Sequence, residues 1–200
     1  MRLLIEQLAK LPGLGPKSAQ RIVLWLLRQP KVTSQQFASL LQKLHSVTVH
    51  CTTCFMATEE PVNGMCAICR DPRREATLLC VLASSVDIAQ IEDTHEYHGR
   101  YHVLGGTLSP LEGVTPENLT VAALMKRMKN AKPAISEVIL AFDQNVEGET
   151  TVLYLKNALK EGGNSALKIS RLARGLPTNS ELEYADPVTL ANAFKERRAV

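Results

Sequence analysis

Residues 51–69 read CTTCFMATEEPVNGMCAIC, two Cys-x-x-Cys pairs separated by eleven residues. When the chain turns sharply, each pair places two thiolates about one ion, and four sulfurs complete the closed tetrahedron that structural Zn²⁺ prefers. Asn63-Gly64 supplies a turn between the two knuckles. A redox Cys-x-x-Cys normally opens a helix of a thioredoxin-like unit and does not recur in tandem, so the pattern favours metal over thiol–disulfide chemistry. The expectation is one structural Zn²⁺ per chain, held by Cys51, Cys54, Cys66 and Cys69. Such a site has no position open for water and staples a small lobe without catalysing. His50, beside Cys51, could replace a ligand but better suits a supporting or solvated role. The fifth cysteine, Cys80, lies in an apolar run and reads as a small hydrophobe. An odd cysteine count without a secretory signal argues against a disulfide framework.

Upstream of the cysteines the chain is basic. Residues 1–50 hold seven Lys and Arg (Arg2, Lys10, Lys17, Arg21, Arg28, Lys31, Lys43) against the single acid Glu6, whereas the whole chain carries only +3. A basic head on a mildly acidic body is the electrostatic layout of a polyanion binder. Leu4, Leu8 and Leu11 mark a short amphipathic helix. Pro12-Gly13-Leu14-Gly15-Pro16 then marks a tight turn, with a helix beginning at Pro16. On that helix Ala19, Ile22, Val23 and Leu26 gather on one side, and Lys17, Arg21 and Arg28 fall within about 40° of one another on the other, interrupted by Leu24. Thr33 and Gln36 have capping-box spacing ahead of a helix that would bury Phe37, Leu40, Leu41 and Leu44. The glycine turn running into a helix N-terminus offers free N–H groups to a phosphate, with Lys17 and Arg21 one turn apart. The pattern resembles a helix-hairpin-helix, which grips the DNA backbone without reading bases.

Downstream, ATLLCVL (76–82), RYHVLGG (100–106), EVILAF (137–142) and LKISRL (167–172) read as strands. They alternate with helical stretches around Val86–Ile91, from Thr115-Pro116-Glu117, and from Glu149 to Lys160, an order that implies a mostly parallel sheet covered by helices. Asp186 and Pro187 open a final helix running to about Arg198. No apolar run is long enough to cross a bilayer. In MRLLIEQLAK, Arg2, Glu6 and Lys10 interrupt what would be the uncharged stretch of a secretory signal, so the cytoplasm is the default location.

Several long segments occur together in one order: LPGLGPKSAQRI (11–22), the cysteine segment ending CAICRDPRR (66–74), GRYHVLGGTLSPLEGV (99–114), VEGET (146–150) and RLARGLPTNSELEYAD (171–186). In this the chain resembles the RecR family over nearly its whole length. The resemblance implies a helix-hairpin-helix head (residues 1–50), a four-cysteine zinc finger (51–69), a Toprim domain (76–172) and a C-terminal arm (173–200). It also implies dimers or tetrameric rings that hold DNA, with RecO and RecF as partners in exchanging single-strand-binding protein for the RecA recombinase at gaps.

Toprim enzymes hold Mg²⁺ with a glutamate after the first strand and an Asp-x-Asp after a later one. Here Val81-Leu82-Ala83-Ser84 has no acid at the first place, where RecR proteins commonly carry a glutamate. Asp143-Gln144-Asn145 keeps one carboxylate of the later pair. Asp143 with Glu147 and Glu149 is left as a weak Mg²⁺ or partner-contact site, and no catalytic residue is expected. His95, His98 and His102 read as surface histidines. Gly105-Gly106-Thr107 lacks the ending of a phosphate-binding P-loop. The acids of ELEYAD (181–186) have no partner lysine motif and read as partner-contacting or solvated. At 4% aromatic residues, base stacking is not expected and backbone contacts should dominate.

The sequence therefore reads as α/β with an all-α head: a non-enzymatic, DNA-binding recombination mediator of DNA repair, cytoplasmic and nucleoid-associated, with no membrane partner. Lys17 and Arg21 are the expected phosphate contacts, supported by Arg28 and Lys43. The rivals are a Toprim-type metal-dependent nucleic-acid enzyme and a zinc-stabilised protein-interaction scaffold.

Overall fold

The computed structural model describes residues 1–59, 61–162 and 166–197, with every side chain among them except that of His45. The chain divides into two compact units, residues 1–49 and 50–200.

The first unit is three helices, α1 (Arg2–Leu8), α2 (Pro16–Arg28) and α3 (Lys31–Val47). Between α1 and α2 the amide of Leu14 donates to the Leu11 carbonyl at 3.1 Å, and Gly13 takes a φ of +77° that a side chain would resist. Gly15 then caps α2 in an extended conformation, and Pro16 occupies the first helical position, where its missing N–H is no loss. Ala19 and Val23 are buried, while Ile22 and Leu26 are half-buried.

Two expectations for α3 fail. The helix opens at Lys31 behind Pro30, with no side-chain cap, so Thr33 is already helical and the Thr33–Gln36 capping box does not form. The fixed φ of Pro30 starts the helix, and the Thr33 amide donates to the Pro30 carbonyl at 3.0 Å. Phe37, Leu40, Leu41 and Leu44 are not buried but 48%, 68%, 54% and 50% exposed. A unit this small cannot cover every apolar stripe it carries.

The second unit begins at His50, the last residue of the short strand β1 (Val49–His50), and continues with β2 (Ala57–Thr58) and the helical turn α4 (Ala67–Arg70). There follow β3 (Glu75–Leu82), α5 (Ser85–Glu92), β4 (Gly99–Val103), α6 (Val121–Asn130), β5 (Glu137–Ala141), α7 (Val146–Glu161), β6 (Lys168–Arg171) and α8 (Pro187–Lys195). The last four strands form one sheet in the order β4-β3-β5-β6, every neighbour parallel. Alternation along β3 feeds two cores. Leu79 and Val81 pack with Leu124, Val138, Leu140 and Leu155 on one face, and Cys80 and Leu82 pack with Ile88, Tyr101 and Val103 on the other. Burial on both faces explains why β3 reads as a nearly unbroken apolar run. It also pushes the Cys80 thiol up to about 12, which leaves it inert.

The helix starts follow their caps. The Asn145 side chain accepts from the Gly148 amide, so α7 opens at Val146, three residues before Glu149. Thr115 and Asn118 form a capping box over a single 3₁₀ turn, and α6 itself starts at Val121. Asp186 accepts from the amides of Val188 and Thr189, placing α8 at Pro187. Its expected end, Arg198, lies outside the described residues. One histidine reading is corrected: His95 and His98 are exposed, but His102 is fully buried. It lies on β4, whose residues here face the core. Its Nε2 is 3.0 Å from the Thr120 hydroxyl, and its ring meets Phe55 edge-on. Burial, then the nearby Arg127 cation, lowers its pKa to about 4.

Candidate metal centre and nucleic-acid interface

The four cysteines converge. Cys51, Cys54, Cys66 and Cys69 are buried, and their sulfurs lie within 4.8 Å of one another. Each knuckle is built by its backbone. The Phe55 amide donates to the Cys51 carbonyl, closing a turn over the first pair, and Phe55 itself takes a φ of +63° that redirects the chain just after Cys54. The second pair straddles the start of α4, where the Cys69 amide donates to Cys66 Sγ at 3.4 Å. The Cys66 amide likewise donates to Cys51 Sγ at 3.4 Å. Asn63 and Gly64, both with positive φ, reverse the chain between a Val62–Met65 bridge, as a type I′ turn requires. Met56, Met65 and Ile68 close around the sulfurs.

The donor set fits a tetrahedral metal ion. Sulfurs at about 2.3 Å from Zn²⁺ lie roughly 3.8 Å apart along a tetrahedral edge, and Cys54 Sγ and Cys66 Sγ are separated by 3.6 Å. Hydrogen bonds from Cys54 and then Cys69 hold the Cys66 thiol down, while bonding to Cys66 and Cys69, with burial, pushes Cys54 up. The amides that donate to Cys51 and Cys66 Sγ favour a thiolate cluster that a cation would neutralise. Among the described residues, no other group of three or more His, Cys, Asp or Glu gathers its ligand atoms in this way. His50 is exposed and outside the cluster.

The lobe is stitched to the sheet. Val103 on β4 donates to the Cys54 carbonyl at 2.8 Å, and Ala57 donates to the Ser85 hydroxyl at 3.1 Å. From α6, Arg127 Nη1 donates to the carbonyls of Tyr101 at 2.6 Å and Thr53 at 3.3 Å. Burial lowers the Arg127 pKa, and the thiols of Cys69, Cys54 and Cys51 act in the opposite sense. A half-buried cation, Arg127, therefore stands beside the sulfurs. Sequence reasoning missed it, because nothing in VAALMKRMKN (121–130) points to the cysteines more than fifty residues earlier.

At the carboxyl ends of β3 and β5, where open parallel sheets hold their ligands, a pocket is lined by Ala83, Ser84, Gly105, Thr107, Asp143 and Asn145. Asp143 is the only carboxylate in this lining. Asn145 is engaged as the α7 cap, and the hydroxyl of Ser84 caps α5 by accepting from the Val86 amide. Gly148 is required here, because a Cβ would lie 2.0 Å from the Asp143 carbonyl oxygen. Of the acids grouped in the sequence reading, Asp143 and Glu149 line one pocket together with Arg171 and Arg174. Glu147 lines a neighbouring groove with Gly106 and Asn118. Glu149 pairs with Arg171 at 3.3 Å and with Arg174.

In the head, Lys17, Arg21 and Arg28 are exposed on α2 and Lys43 is exposed on α3. Among the described residues none of the four forms an ion pair; the only such pair in the head is Arg2–Glu6. The first turn of α2 has no side-chain cap, so its leading amides remain available beside Lys17.

Three family profiles match: "RecR, helix-hairpin-helix" over residues 1–45, "Toprim domain" over 77–173 and "RecR, C-terminal" over 175–198. Proteins called Recombination protein RecR resemble the chain throughout. That of Synechococcus sp. (strain CC9311) is 49% identical over 98% of this chain and 100% of its own length. That of Synechococcus sp. (strain CC9605) is 48% identical over 100% of both. That of Thermobifida fusca is 47% identical over 98% of this chain and 95% of its own.

Proposed function

The chain belongs to the RecR family of recombination proteins, and on that premise we propose that it is a non-enzymatic DNA-binding mediator of recombinational repair. It works as an oligomeric clamp that, with RecO and RecF, helps load RecA at single-stranded gaps. Its setting is the cytoplasm, at the nucleoid; among the described residues no helix is long and apolar enough to cross a membrane. The supporting observation is the exposed cation row of α2, behind the Gly13–Gly15 turn and, among the described residues, without acidic partners. Lys17 and Arg21 contact phosphates, and Arg28 and Lys43 add to the field. Binding to unrelated DNA sequences that weakens steeply with salt tests this reading against a scaffold that never touches DNA.

The metal is Zn²⁺, one per chain, held by Cys51, Cys54, Cys66 and Cys69. Bound there it shapes the lobe; four protein ligands leave no site for a reacting water.

The Toprim fold hosts enzymes, but phosphoryl transfer needs carboxylates grouped at neighbouring strand ends to hold Mg²⁺. Ala83 and the capping amide of Asn145 stand where such charge belongs. The protein is expected neither to nick, relax nor prime DNA in Mg²⁺ or Mn²⁺. The double variant Asp143→Asn, Glu147→Gln is expected to retain full DNA affinity. Cleavage by the native protein that this variant abolishes would establish an enzyme.

A 22.0 kDa chain cannot encircle a duplex alone, and the exposed α3 stripe of Phe37, Leu40, Leu41 and Leu44 is uncharged and suited to a second copy. Light scattering is expected to give a dimer or tetramer. Leu41→Glu, which would bury an unpaired charge at that contact, is expected to lower the mass. A native monomer at every concentration would remove the clamp.

A further inference from the structure

Trp25 is the only tryptophan in the chain, and it is 55% exposed. The helical period explains why it is not part of the core. At 100° per residue it lies about 40° from Arg21 and roughly 60° from Arg28, on the side of α2 opposite the buried pair Ala19 and Val23. Ser18, Arg21, Ile22, Leu24, Trp25 and Arg28 together line one shallow groove along the helix. An indole thus stands between two guanidinium groups, one turn before it and one turn after, and neither cation has an acidic partner among the described residues.

Two occupants compete for such a face. A second copy docked on it would bring Lys17, Arg21 and Arg28 against a head whose single acid, Glu6, is already paired with Arg2; like charges would oppose the contact. The α3 stripe, apolar and without cations between Phe37 and Leu41, suits self-association far better. A nucleic-acid strand satisfies both chemistries at once, with phosphates against Arg21 and Arg28 and an aromatic face against Trp25. In a duplex the bases are already stacked on one another, so only an unpaired base can lie on the indole.

We propose that the α2 groove is a single-strand site, in which Trp25 stacks on an unpaired base while Arg21 and Arg28 hold the phosphates on either side. The inference rests on the DNA-binding reading above and refines it, because it assigns the head a preference for gaps or strand ends over continuous duplex. It also revises the expectation, drawn from the low aromatic content, that backbone contacts alone dominate. One aromatic is enough where the helix places it between two cations.

Because Trp25 is the sole tryptophan, the full-length protein reports on its own site. Adding oligothymidylate is expected to quench the intrinsic tryptophan fluorescence, with added salt restoring it, while blunt duplex of mixed sequence quenches little. In parallel, anisotropy of labelled DNA is expected to show Trp25→Ala weakening oligothymidylate binding by roughly five- to a hundredfold, the range for loss of one stacked base. The same variant should leave duplex affinity nearly unchanged, and Trp25→Phe should recover most of the single-strand affinity, which separates stacking from misfolding. The proposal is overturned if oligothymidylate binds by anisotropy without quenching Trp25 and Trp25→Ala binds normally; DNA binding would then stand and only the stacking would fall. It is equally overturned by blue-shifted emission that depends on protein concentration and ignores DNA, the signature of a face covered by a second copy. If no labelled DNA binds at all, the DNA-binding reading falls with it.

Discussion

Cys54→Ser, or stripping the metal with a strong chelator, is expected to lower the thermal midpoint by 10 °C or more (~4 kcal/mol of lost stability in a domain of this size) and to loosen the sheet together with the lobe. The size of the effect follows from what the cysteines replace. Among the described residues only Met56, Met65 and Ile68 pack around the sulfurs, too few apolar groups to hold residues 51–69 folded. Structural zinc supplies on the order of 10 kcal/mol at neutral pH in comparable small lobes. Removing one ligand also leaves three buried sulfurs crowded without a cation, a larger penalty than the loss of one bond. The disturbance is not confined to the lobe. Val103 and Arg127 hydrogen-bond to the carbonyls of Cys54 and Thr53, so the edge strand β4 and helix α6 lose contacts when the knuckle opens. Hydrogen exchange across β4 and the carboxyl-terminal part of α6 is therefore expected to rise with metal removal, and elemental analysis should find one zinc per chain in the native protein. A native protein that contains no metal, or a Cys54→Ser variant that melts like the native one, would show that the cluster is held by packing alone.

How far the sequence could be read depended on whether local chemistry or distant contacts decided each feature. Asp186-Pro187 and Pro16 fixed helix starts because a cap and a proline act within one turn. β3 was legible because burial on both faces of a parallel sheet leaves a short, nearly unbroken apolar run. The four cysteines were legible because thiolate spacing is itself the geometry of the site. Where two local signals competed, the reading failed: Pro30 outweighed the Thr33–Gln36 pattern and started α3 earlier. Where the answer lay far along the chain, there was no signal. His102 looked like a surface residue because nothing near it announces Thr120, and Arg127 looked like any cation at a helix end because its partners lie beside the cysteines. Periodicity correctly grouped Phe37, Leu40, Leu41 and Leu44, but could not say that this face has no cover within the head.

Reversing both Lys17 and Arg21 to glutamate is expected to abolish most DNA binding while leaving the fold intact. Both side chains are exposed and make no ion pair among the described residues, so their loss removes no internal contact and melting should change little. Each phosphate contact releases counterions, with a slope of about 0.9 in log K against log salt, so at 0.1 M salt two contacts are worth roughly sixtyfold in affinity. Reversal goes further than removal, since the new carboxylates would stand in the first two turns of α2, beside the leading amides that should meet phosphate, and would repel the DNA backbone. A loss of a hundredfold or more is the rough expectation, with the salt slope shallower by about 2 and the same loss on every sequence tested. That uniformity separates backbone contacts from base reading, which would spare some sequences and not others. The neutral pair Lys17→Gln, Arg21→Gln is expected to fall between the native protein and the reversed one, as charge dictates. If the reversed variant binds DNA with unchanged affinity and slope, the phosphates are held elsewhere, and neither the glycine turn nor the helix it opens can be the DNA site of this protein.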